Sequence, residues 1–177
     1  QSDRKIVIGG GFTGFNGVVR NHLVRLHGGS MAGVGQIEFS SAFFTVDESA
    51  TNAVIIVRRT GGTSGTVSVD VDTTAGSAQS LLDYTDQSLA VIFPPGETVL
   101  GFHVPILNDS LVEGDETVHL AMSNPQGGAS LGVQPAATLT IVSDDSVLGF
   151  SSSSYSVNEN ALGGRATINV TRTGSTN

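Results

Sequence analysis

The chemistry available to this chain is concentrated in Asn108-Asp109-Ser110-Leu111-Val112-Glu113-Gly114-Asp115-Glu116, where four carboxylates fall within eight residues. Two more, Asp144 and Asp145, close a later apolar run, and Glu48 follows an earlier one. Carboxylates crowded in this way repel each other, so an unliganded cluster loses stability or holds some of its protons at neutral pH. A divalent cation removes that cost. Hard oxygen donors on flexible loops suit Ca2+, which takes about 6 to 8 oxygens at roughly 2.3–2.6 Å. Acidic loops are also common as simple solvated turns, and spacing alone leaves both readings open.

Other chemistries find less support. His103 and His119 alternate with apolar residues and read as exposed strand positions, and no Ser/His/Asp set has a role here. Gly9, Gly11 and Gly14 satisfy G-x-G-x-x-G after the apolar run Lys5-Ile6-Val7-Ile8. A dinucleotide site also needs a helix behind the glycines and an acid about 20 positions on. No acid occurs between Asp3 and Glu38, so the glycines read as a tight strand connection. Asn108-Asp109-Ser110 and Asn169-Val170-Thr171 fit the glycosylation pattern, which only a eukaryotic host would use.

Strands must position the acids. Between 36 and 145, apolar and polar residues alternate with period two: Val54 and Ile56 against Ile55 and Val57; Val67, Val69 and Val71; Val91 and Phe93; Phe102, Val104 and Ile106; Val118, Leu120 and Met122; Leu139 and Ile141. Separators such as Thr60-Gly61-Gly62 and Pro94-Pro95-Gly96-Glu97 are turn material. About seven short strands at this spacing predict an all-β, Ig-like, seven-stranded antiparallel Greek-key sandwich. In such a sandwich, loops at one end gather residues from distant stretches. Residues 147–177 then repeat the start of this segment. Phe44-Thr45-Val46-Asp47-Glu48 returns as Tyr155-Ser156-Val157-Asn158-Glu159, and 53–61 (AVIIVRRTG) returns as 166–174 (ATINVTRTG). The second copy stops after its second strand, so incomplete β segments are expected at both ends of the chain.

Composition narrows the class. The chain has 177 residues with 23 Gly, no Cys and no Trp, which excludes disulfides and thiolate metal sites. No apolar run approaches the roughly 20 residues needed to span a bilayer. The chain begins at Gln1 without a signal peptide, which reads as a piece of something longer. Its net charge is -8, and after residue 30 four arginines face fifteen acids. Such a surface repels nucleic acid and anionic membrane and favours cations.

The segment from Ile37 to Asp145 resembles a Calx-β domain, the calcium-binding repeat of sodium/calcium exchangers and many bacterial surface proteins. The matching pieces are Phe44-Thr45-Val46-Asp47-Glu48, Asp83-Tyr84-Thr85, Phe93-Pro94-Pro95-Gly96-Glu97-Thr98, Ile106-Leu107-Asn108-Asp109, Glu113-Gly114-Asp115-Glu116 and Leu139 to Asp145, in family order. The resemblance implies calcium ligands at Glu48, Asp109, Glu113, Glu116, Asp144 and Asp145, with Asp83 bracing its loop rather than ligating. It also marks departures. Calcium-regulated members carry acids where this chain has Ala75, Asn108 and Ser143, which implies one or two ions held with an affinity of extracellular type. Residues 1–29 resemble the delta-sixty repeat of bacterial exported proteins through Asp3-Arg4-Lys5-Ile6-Val7-Ile8-Gly9-Gly10, Phe12-Thr13, Asn16-Gly17 and Arg25-Leu26.

The expected organisation is a partial propeller-type repeat at 1–29, a complete Calx-β sandwich at 36–145 and a truncated second repeat at 147–177. The expected function is a non-enzymatic, calcium-binding adhesion or spacer module of an extracellular, bacterial cell-surface protein. Its partners would be calcium, the neighbouring repeats, and a cell-surface protein or glycan, without nucleic acid or membrane insertion. Calcium held by Asp144 and Asp145 would stiffen the joint to the next repeat. The alternatives are a non-catalytic accessory fragment of a secreted hydrolase and a metal-free spacer.

Overall fold

The computed structural model describes the backbone of the strands at 5–9, 14–15, 18–19 and 23–27, and residues 33–160 and 163–176. Strands β1 (Lys5–Gly9), β2 (Gly14–Phe15), β3 (Val18–Val19) and β4 (Leu23–His27) form two antiparallel pairs, β1 with β4 and β2 with β3. After Gly9 the described elements are strands, β2 and β3, and no helix stands there among the described residues to receive a pyrophosphate. Gly11 lies outside the described residues, as do Asp3-Arg4, Phe12-Thr13 and Asn16-Gly17.

Strands β5 (Gln36–Phe39), β6 (Phe43–Asp47), β7 (Asn52–Thr60), β8 (Val67–Ala75), β9 (Ser88–Phe93), β10 (Val99–Pro105), β11 (Glu116–Gln126), β12 (Ser130–Leu131) and β13 (Ala136–Val142) build the sandwich. One sheet has the order β10-β7-β5-β12, the other β6-β13-β11-β8-β9. The seven strands expected are present with two elaborations. The first strand is divided into β5 and β6, which belong to different sheets, and the two-residue β12 extends the smaller sheet. The division falls at Ser40-Ser41-Ala42, where Ser41 Oγ accepts a hydrogen bond from the Phe43 amide at 3.1 Å.

Side chains on a strand alternate between faces, and the alternation here is strict. In β7, Ala53, Ile55, Val57 and Arg59 are buried while Val54 and Arg58 are exposed. The inward residues of both sheets meet in one core, where Ile37, Phe39, Phe93, Val104, Leu120 and Leu139 are almost wholly buried. Arg59 points into this interior and is 3% exposed. Its guanidinium donates to the carbonyls of Val34 (2.8 Å), Gly65 (3.0 Å), Pro94 (3.3 Å) and Ser64 (2.6 Å). One buried cation thus ties three separate loops to the sandwich.

Beyond the sandwich, β14 (Ser146–Phe150) pairs antiparallel with β15 (Val170–Gly174). The register reproduces that of β5 with β7. Phe150 faces Val170 as Phe39 faces Val57, and Leu148 faces Arg172 as Ile37 faces Arg59. The repeat seen in the sequence is therefore a repeat in pairing. Yet every residue of β14 and β15 is exposed, and Leu148 and Phe150 show 71% and 70% of their surface to solvent.

Candidate metal centre

One end of the sandwich collects the acids, and strand direction explains why. β6 and β13 run parallel, with Val46 beside Ile141 and Asp47 beside Val142. Their exits therefore lie side by side. Glu48 leaves β6 there, its amide donating to the Val142 carbonyl at 2.9 Å, and Ser143 to Asp145 leave β13. β11 is antiparallel to β13, so its first residue, Glu116, starts opposite Ile141 at the same end. β10 pairs antiparallel with β7, and its exit delivers Asp109. The loop between β8 and β9 is fastened to that exit by the Leu107 amide, which donates to the Asp83 carbonyl at 2.9 Å.

Two carboxylate triads result. Glu48, Asp109 and Asp145 form one; Asp83, Glu113 and Glu116 form the other. Within each, one oxygen from every residue lies within 4.8 Å of the others. Two oxygens on opposite sides of a calcium ion stand roughly that far apart, at about twice the metal–oxygen distance. Glu48 and Asp83 are buried, at 5% and 8% exposure, whereas Asp109 and Glu113 are exposed. Each triad therefore has a buried floor and an open side.

The electrostatics show that the protein compensates the charges only in part. Burial raises the Glu48 pKa, a backbone hydrogen bond from Asp109 partly offsets this, and the charges of Asp145 and Asp109 raise it further. Burial also pushes Glu116 up, to about 7, helped by a side-chain hydrogen bond with Asp83 and by the charges of Asp83, Glu113 and Glu48. Because Glu48 acts on Glu116, the two triads are one electrostatic unit. Two polar atoms here are buried without a hydrogen-bond partner, Ser143 Oγ and Asp145 Oδ2. Ser143 lies near enough to Glu48 to favour its charge, but outside hydrogen-bond geometry. Buried oxygens are rarely left unpaired. Orphaned oxygens beside crowded carboxylates are the donor set that an oxygen-loving divalent cation satisfies.

Five of the six residues expected from the sequence enter these triads: Glu48, Asp109 and Asp145 in one, Glu113 and Glu116 in the other. Asp144 is exposed and belongs to neither. Asp83, read from the sequence as a brace, fills the sixth place. It does brace its loop, since Asp83 Oδ2 accepts from the Gln79 amide at 2.6 Å, but its carboxylate also faces Glu113 and Glu116. His103 and His119 are exposed, as their alternation predicts.

Residues 32–146 match the Calx-beta domain family. The chain belongs to the Calx-beta family. Residues 1–28 match a beta-propeller domain of unknown function. The Calx-beta chain is 29% identical over 136 residues to the sodium/calcium exchanger Calx of Drosophila melanogaster, a match covering 76% of this chain and 14% of the exchanger. It is 30% identical over 141 residues to FRAS1-related extracellular matrix protein 2 of Homo sapiens, covering 73% of this chain and 4% of that one. The chain thus spans a small part of the curated relatives it matches. Among solved structures, the apo-form Calx CBD1 domain superposes with a TM-score of 0.60 at 30% identity, over 62% of this chain and 97% of that one. The calcium binding domain CBD12 of CALX1.1 superposes with a TM-score of 0.61 at 29% identity, over 67% of this chain and 49% of that one.

Proposed function

We propose that the Calx-beta sandwich of this chain binds calcium through its two triads and serves as an adhesion or spacer module in an extracellular array. The observation that carries the reading is the pair of triads with orphaned, buried oxygens beside them. The ligands would be Glu48, Asp109 and Asp145 at one position and Asp83, Glu113 and Glu116 at the other, with Asp144 at the open rim. A bound cation would supply the positive charge that is absent from the groups acting on Glu48 and Glu116. The protein's part is to hold the acids on the exits of paired strands, to shield Glu48 and Asp83 from water, and to leave one side open.

The array reading is supported by the propeller-type match at 1–28 and by the second repeat, whose pairing copies the first. It fits a partial propeller repeat, one complete Calx-beta domain and the beginning of another in series, as in a bacterial exported surface protein. Relatives named as an extracellular matrix protein and as an adhesion receptor support placement outside the cell, with a cell-surface protein or glycan as the partner. The acids at this end gather as two sets of oxygen donors, which favours binding over catalysis. The test is thermal unfolding of the full chain in millimolar calcium, in magnesium and in chelator. Calcium should raise the melting temperature, since a ligand at 100 times its dissociation constant contributes about 2.7 kcal/mol. Magnesium should do far less, because its octahedral shell dehydrates reluctantly. Coincident curves in calcium and chelator would leave only the metal-free spacer.

A further inference from the structure

Strand β6 is an edge of the larger sheet, so one of its sides has no strand beside it. Two bonds fix which backbone groups face that side. The Thr138 amide donates to the Ala42 carbonyl and the Glu48 amide to the Val142 carbonyl, both at 2.9 Å. Backbone groups alternate in direction along a strand. Those of Phe44 and Val46 therefore face β13, and those of Phe43, Thr45 and Asp47 face the open side. Two of the latter are satisfied within the chain. The Phe43 amide donates to Ser41 Oγ at 3.1 Å, and the Asp47 carbonyl accepts from the Ala50 amide at 3.0 Å. The Phe43 carbonyl, the Thr45 amide and carbonyl, and the Asp47 amide have no partner among the described residues.

Natural sheets blunt such an edge with Lys, Pro, a bulge or a covering loop, because open ladder groups invite another strand. Phe43-Phe44-Thr45-Val46-Asp47 carries no Lys, Pro or Gly, and its register with β13 runs unbroken. On the outer face, Phe43 shows 74% of its surface to solvent. On the inner face, Phe44 and Val46 pack against the core yet stay only partly buried. The core is therefore open along this edge.

We propose that this edge is a homophilic docking site, at which β6 pairs antiparallel with β6 of a second copy about a twofold axis at Thr45, joining the two sheets into one. The inference goes beyond the calcium reading and does not depend on it. A second copy fits because the strand is self-complementary. Pairing centred on Thr45 lets the two Thr45 residues exchange both of their bonds, and brings each Asp47 amide to the Phe43 carbonyl of the other copy. These are the groups that the chain leaves free. The Phe43 amide and the Asp47 carbonyl would end that ladder, and the chain satisfies both itself. On the inner face, Phe44 would stand opposite Val46 of the second copy and close the open flank of each core. On the outer face, Asp47 would stand opposite Phe43, so no like charges face each other. A contact this short belongs to the small, transient class of interface. That suits a module repeated along an array, where many weak contacts act together.

Sedimentation velocity of the full chain from micromolar to millimolar concentration tests the proposal, with T45K, T45E and F150S alongside. Thr45 is exposed, so the folded monomer accommodates either charge. The parent should form a dimer as its concentration rises. T45K and T45E, which set like charges opposite each other across the axis, should each dimerise at least tenfold more weakly. An equimolar mixture of the two should recover the parent's dimer, which also shows that both variants are folded. F150S, on the exposed β14–β15 ribbon, should dimerise as the parent does. The proposal is overturned by a parent that stays monomeric throughout, by T45K dimerising like the parent, by a mixture that stays monomeric, or by a dimer lost in F150S. The calcium reading stands or falls separately, on the melting comparison above.

Discussion

Glu116 keeps its proton near neutral pH because burial comes first and the charges of Asp83, Glu113 and Glu48 follow. Its pKa in the folded chain is about 7 against an ordinary 4.5, so the folded state holds the proton more tightly than the unfolded one. The stability this group contributes is full below the ordinary carboxylate range and is lost as pH rises through about 7. Glu48, also raised, acts in the same sense. In chelator, calorimetric melting should therefore occur at a higher temperature at pH 5 than at pH 7.5, and E116Q should flatten that dependence. Calcium needs the ionised carboxylates, so its stabilising effect should grow over the same interval. Substitution separates ligation from general charge. E113Q or E116Q should weaken calcium binding by more than tenfold, about 1.4 kcal/mol. D70N and D72N should leave it unchanged, since both side chains sit on the outer face of β8. Equal losses at all four positions in the same titration would mean simple screening. Most of this centre was legible as acids near strand ends. Asp83 was not, because its place among Glu113 and Glu116 depends on a backbone tether to Leu107 that leaves no trace in local spacing.

At the scale of elements, the strands were legible because one face is buried and the other wet, which writes period two into the residues themselves. Two features escaped that logic. The division of the first strand into β5 and β6 is marked only by Ser40 and Ser41, residues equally at home in a strand edge or a turn. The inward position of Arg59 looks like an error in an otherwise apolar series. It is tolerated because its guanidinium donates to four backbone carbonyls, so the buried charge is hydrogen-bonded. Hydrogen bonds to charged groups contribute about 1.5–3 kcal/mol each, and stranded partners add to the cost of removal. R59A should therefore destabilise the sandwich by at least about 3 kcal/mol in chemical denaturation. R59K, which keeps the charge but not the planar fork, should recover only part of the loss. Calcium affinity should be unaffected in whatever fraction stays folded, because Arg59 anchors 34, 64, 65 and 94, away from the acids.

At the scale of the whole molecule, the two repeats have the same pairing and opposite surroundings. β5 and β7 are held within a closed sandwich, while β14 and β15 show both faces to solvent. A two-stranded ribbon without a covering sheet is marginal in water. Hydrogen exchange should therefore find the β14–β15 amides weakly protected beside those of β5–β7, despite the identical register. Extending the chain through the strands equivalent to β8–β13 should bring the two pairs to comparable protection. Protection equal from the outset would show that the ribbon's own contacts, such as the hydrogen bond from the Ser175 amide to the Asp145 carbonyl, already stabilise it.

The side-by-side, co-directional course of β6 and β13 also decides how the sandwich answers a pull. The chain enters β6 at one end of the molecule and leaves β13 at the other, and five residue pairs join them. Tension along a tethered array would drag these strands past each other lengthwise, so all of their hydrogen bonds carry the load together instead of opening one after another. Where the ladder ends, Glu48 and Asp145 bring carboxylate oxygens within 4.8 Å of each other. A cation there would act as a rivet at the end of the seam, placed where sliding would have to begin.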